Sequence, residues 1–81
     1  MFDLHEPINV WVFFKGTVIQ PYLFFWKGRQ VKVDKINLVH TSRDDGSTVY
    51  HFSVSGGGNF YRLRFDLKNL KWFLEAVEES D

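Results

Sequence analysis

The chain contains no cysteine. That excludes disulfide staples, thiolate metal ligands and a cysteine nucleophile. An unstapled fold of 81 residues must rest on its apolar core or on association with another surface. Net charge is absent too: ten Lys+Arg balance ten Asp+Glu, so no global field directs the chain to nucleic acid or membrane. No apolar run approaches the ~20 residues of a membrane helix. Residues 1–7 lack the basic start and apolar stretch of a secretory signal. The expectation is a single cytoplasmic domain over 1–81, without membrane contact, metal or cofactor.

What is abundant is aromatic. Nine Phe, three Trp and three Tyr fall mostly at every second position of short runs, the period of a strand. A domain this small has little interior, so part of that surface is expected at an interface. Charge is uneven along the chain. From Lys15 to Arg43 there are six basic residues and one acid, Asp34, whereas Glu75, Glu78, Glu79 and Asp81 make the C-terminal end acidic.

Ile8, Val10, Val12 and Phe14 alternate with Asn9, Trp11, Phe13 and Lys15 as a first strand. Tyr22, Phe24 and Trp26 alternate next, after a Pro21 that cannot donate to a ladder. A tight Lys27-Gly28 turn pairs Trp26 with Arg29, Phe24 with Val31 and Tyr22 with Val33. From Arg29 to Thr41 the apolar phase switches between Val33 and Ile36. This predicts a β-bulge at Asp34-Lys35, bending one long strand between two sheets.

The turn at residues 43–47 has two solutions. A two-residue Asp45-Gly46 loop pairs His40 with His51. A three-residue loop, Asp44-Asp45-Gly46, pairs Leu38 with Phe52 and Ile36 with Val54, and the hydrophobic pattern favours it. Gly56-Gly57-Gly58-Asn59 forms the third turn, pairing Val54 with Tyr61, Phe52 with Leu63 and Tyr50 with Phe65. It lacks the strand–loop–helix context of a phosphate loop. The tail reads as a helix capped by Asp66, or as a strand pairing Phe65 with Leu70, Leu63 with Trp72 and Tyr61 with Leu74.

The pattern Pro21-x-x-Phe24-x-Trp26-x-Gly28-Arg29-x-Val31-x-Val33 resembles the opening of a family of small bacterial domains of unknown function. Some of its members lie beside proteins related to error-prone DNA polymerases. Tyr50-x-Phe52-x-Val54, Tyr61-x-Leu63-x-Phe65 and Leu70-x-Trp72-x-Leu74 resemble its later segments, so the likeness spans most of the chain. Val31 stands where that pattern has an aromatic. The resemblance implies a small β domain with an extended C-terminal segment, and no activity.

The fold expected is all-β: an antiparallel half-open barrel or SH3-like roll of about six strands, with a short C-terminal helix as the alternative to the last strand. Its inner face should hold Val10, Val12, Phe24, Trp26, Leu38, Phe52, Val54, Leu63, Phe65 and Trp72. No spacing of Ser, His and acid suggests a nucleophile with its base and orienter, so an enzyme is not expected. Ser42, Ser47, Ser53 and Ser55 read as turn or polar-face residues. Trp11 and Phe13 give the first strand a second apolar face, which is a liability unless covered. A homodimer, or docking on a larger protein partner, would cover it. The alternative is weak single-stranded nucleic-acid binding by a basic and aromatic strand face of His51, Arg62, Arg64, Lys71 and Phe73.

Overall fold

The computed structural model describes residues 2–79; Asp81 of the acidic end lies outside the described residues. Seven strands run β1 (Phe2–Lys15), β2 (Val18–Trp26), β3 (Arg29–Lys32), β4 (Lys35–Asp44), β5 (Ser47–Gly56), β6 (Asn59–Asp66) and β7 (Lys71–Glu79). All pairings are antiparallel, in the order β3-β2-β1-β7-β6-β5-β4. The chain is therefore all-β, a curled half-barrel, with a strand rather than a helix at its C-terminal end.

The seventh strand arises because the segment from Arg29 to Asp44 does not bend as one strand. It breaks at Val33-Asp34 into β3 and β4, which lie at opposite edges of the sheet. Two residues thus tie the two edges together, and the sheet must curl to allow it. Val33 N donates to Tyr22 O at 2.9 Å and Asp34 N to Ser55 O at 2.8 Å, so each residue belongs to a different edge. At this seam a Cβ on Gly56 would meet the Lys32 carbonyl oxygen, and only glycine admits that approach.

The strand that serves both halves is β1. Its first half pairs with β7, ending at Ile8 opposite Trp72, and its second half pairs with β2, beginning at Asn9 opposite Phe25. Trp26 Nε1 donates to Glu6 Oε2 at 2.8 Å and pins β2 to that first half. Between the halves lies the core. Phe24, Phe52, Leu63 and Leu74 are fully buried, and Trp72 stacks on Phe65 with ring centres 4.5 Å apart. Val10, Val12 and Trp26 pack against this cluster from its margin.

The Lys27-Gly28 and Gly57-Gly58 hairpins carry the registers their turn residues predict. Two other registers differ from expectation. The β4–β5 loop has two residues, Asp45 and Gly46, both left-handed at φ 52° and 80°. This is the turn whose twist matches paired strands, and Asp-Gly favours it. His40 therefore faces His51. The hydrophobic pattern is rescued by a bulge at Asn37, which returns Ile36 to Val54. Leu38 is turned outward and is 59% exposed, not part of the inner face.

The β6–β7 turn takes Leu67–Leu70, so Phe65 pairs with Trp72, Leu63 with Leu74 and Tyr61 with Val77. The slip from expectation is two residues for Phe65 and Leu63, whose pairing keeps its faces, and three for Tyr61, beyond a bulge at Glu75. Asp66 makes the longer turn. Its carboxylate accepts from Lys68 N at 3.0 Å and Asn69 Nδ2 at 3.2 Å, a local bond typical of turn aspartates.

Candidate functional site

Two surfaces on the outer side of the sheet carry unusual chemistry. The first is the outer face of β1 and β2. Trp11 is 52% and Phe13 60% exposed. Trp11 meets Phe25 edge-on at 5.0 Å, and Phe13 meets Tyr22 at 5.6 Å. Tyr22 reads as an inward residue from its phase with Phe24. A register shift between Trp11 and Val12 places Leu23 opposite Trp11 and Pro21 opposite Val12, leaving Tyr22 to bulge outward. Phe25 was legible, since it alternates with Phe24 and Trp26. Lys32 Nζ lies 6.0 Å over the Tyr22 ring, a cation held against an aromatic face. Beside Trp11, where β1 passes from β7 to β2, a cleft of about 760 Å³ is lined by Ile8, Val10, Val12, Leu70 and Trp72.

The second surface covers β4 to β7 and contains the expected basic face. Its residues are only partly brought together. Arg64 sits opposite both His51 and Phe73, but Lys71 faces Asp66 and is displaced from Arg64 by the two-residue slip. Arg64 Nη2 is paired with Asp44 Oδ2 at 2.6 Å, and Arg62 Nε lies 3.5 Å from Glu75 Oε1. Acids therefore interrupt the ridge. Phe73 is stacked by His5, centres 4.4 Å apart and planes within 12°, so one face of its ring is occupied.

His51 is buried rather than presented to solvent. Its Nδ1 lies 2.7 Å from Glu75 Oε1 and its Nε2 2.8 Å from Ser42 Oγ. The His40 ring stacks on it at 4.6 Å, planes 12° apart. Glu75 reaches His51 across β6, from the register shift in β7 that moves Leu74 and Ala76 onto Leu63 and Arg62. Sequence reasoning missed this cluster. The Asp45-Gly46 turn was the signal that could have found His40, Ser42 and His51 together; the bulge that aims Glu75 has no mark in the sequence.

Among the described residues no group of three or more His, Cys, Asp or Glu is placed to hold a metal ion. No helix among them is long and apolar enough to cross a membrane. No protein-family model, curated protein or solved structure matches this chain.

Proposed function

We propose that the chain is a small cytoplasmic interaction domain that recognises protein through the outer face of β1 and β2, in the first place a second copy of itself. The observation that carries this reading is the four-ring cluster of Trp11, Phe13, Tyr22 and Phe25 left open to solvent. Water-exposed aromatic surface gains roughly 25 cal/mol per Å² on burial, and rings already paired edge-on lose little freedom when a partner covers them. A twofold contact of this face against itself buries both copies of the cluster at once. Light scattering on the intact chain at about 100 μM should give a dimer mass that falls with dilution. Trp11→Ser with Phe13→Ser should give a monomer at every concentration. A monomeric wild-type mass would overturn the reading.

One observation favours a second reading on the same face. Lys32 stands over Tyr22, and Lys15, Lys27, Arg29 and Lys35 belong to the same stretch of chain, with Asp34 its one acid. Rings that stack bases and cations that hold phosphates are what single-stranded nucleic-acid platforms combine. This moves nucleic-acid binding from the ridge of His51, Arg62, Arg64, Lys71 and Phe73 to Trp11, Phe13, Tyr22 and Lys32. A labelled oligonucleotide titrated at about 50 mM salt separates the readings, since such binding weakens steeply as salt rises.

A further inference from the structure

We propose that Ser42, His51 and Glu75 form an acyl-transfer triad, with Ser42 Oγ the nucleophile toward an exposed carboxylic ester. With a neutral imidazole and an ionised Glu75, the bonding pattern gives each residue one role. An ionised carboxylate only accepts, so the 2.7 Å contact with Glu75 Oε1 places the proton of the neutral ring on His51 Nδ1. Nε2 then carries the lone pair, and the 2.8 Å contact is Ser42 Oγ–H donating to it. Nucleophile, base and orienter thus stand in the order that acyl transfer requires.

The nucleophile is the exposed member of the three. Ser42 is open to solvent, while the side chains of His51 and Glu75 are 11% and 18% exposed. The acid is also held by Arg62, and His40 stacks on the base and restrains its tilt. A donor for the developing oxyanion comes from the sheet edge. Thr48, opposite Arg43, turns its carbonyl to Leu67 N at 3.3 Å and away from β4. Arg43–Thr48 is therefore a pair without ladder hydrogen bonds. The Arg43 amide points out of the open edge of β4, on the residue next after the nucleophile, the position from which acyl-transfer enzymes draw an oxyanion donor.

In the reaction Ser42 Oγ bonds to the ester carbonyl carbon as its proton passes to His51 Nε2. The bond from that carbon to the alcohol oxygen then breaks, and the alcohol leaves with the proton from Nε2. Water adds to the Ser42 acyl ester, again losing a proton to Nε2. The carboxylic acid departs as Ser42 Oγ regains its proton. No oxidant, reductant or metal takes part.

The test uses the intact chain with p-nitrophenyl acetate. The wild type should release p-nitrophenol, and an acid-quenched sample should carry acetyl on the peptide containing Ser42. Phenylmethylsulfonyl fluoride should label the same residue and stop the reaction. Ser42→Ala, at an exposed position, should fold as the wild type does and lose at least about 100-fold in rate. Glu75→Gln should slow acetylation of Ser42, while Ser53→Ala on the neighbouring outer face should leave it unchanged. Equal rates for wild type and Ser42→Ala would overturn the proposal. Acetyl confined to lysine or histidine would do the same, because the cluster would then be a hydrogen-bonded strut.

Discussion

At position 70 the backbone is left-handed, with φ 57° on a leucine that is 71% exposed. Leucine strains in that conformation, whereas asparagine tolerates it through its short polar group. Leu70→Asn should therefore raise the stability of the fold by about 1 kcal/mol in a denaturant titration. Gly56 makes the opposite case. Its φ is not the issue; the space is, since a Cβ there would meet the Lys32 carbonyl and lie 3.2 Å from Val31 Cγ1. Gly56→Ala should cost about 1–3 kcal/mol, read as an earlier unfolding midpoint at unchanged slope. The Gly-Gly-Gly run showed a turn in the sequence. That its first glycine lies at the seam between the two edges was not legible, because the neighbour is 24 residues away in sequence.

Elements were legible where local chemistry decides them. Lys27-Gly28 and Gly57-Gly58 set two hairpins from their turn residues alone. The β4–β5 hairpin shows the limit. Turn chemistry and hydrophobic phase gave conflicting registers, and the chain satisfies both by inserting a bulge at Asn37. The bulge lets the two-residue Asp45-Gly46 loop keep its twist while Ile36 stays in the core. Likewise β1 reads as one strand from Ile8 onward with both faces apolar, yet its extension from Phe2 pairs with β7 and makes it the common strand of both halves. The Trp26–Glu6 hydrogen bond fastens that arrangement. Trp26→Phe keeps most of the ring but removes the donor and leaves a half-buried carboxylate. It should destabilise the fold by about 1–2 kcal/mol, and amide exchange should quicken first between Leu4 and Ile8.

For the molecule as a whole, the question is what covers Trp11 and Phe13. Association couples to unfolding by mass action, so a dimer through this face should show a melting temperature that rises with protein concentration. In the Trp11→Ser, Phe13→Ser variant that dependence should vanish. Its stability at high dilution should fall by about 1–3 kcal/mol, the worth of the two edge-on ring pairs that the substitutions remove. Sulfate should strengthen apolar association, while sodium chloride should weaken any oligonucleotide complex.

The sequence by itself determined the class of fold, the β2–β3, β4–β5 and β5–β6 hairpins and most of the core, because alternation and turn chemistry act within a few residues of each position. It also determined that Trp11 and Phe13 would face away from Val10 and Val12. Tertiary structure decided how the sheet closes, through a two-residue link between opposite edges and a β1 shared by both halves. It also decided the bulges at Asn37, Tyr22 and Glu75. Each bulge reverses the facing of the residues beyond it, and its placement is settled by packing across strands that no local pattern records. That is why Tyr22 joins the exposed rings, and why Glu75 arrives at His51 from the far side of β6.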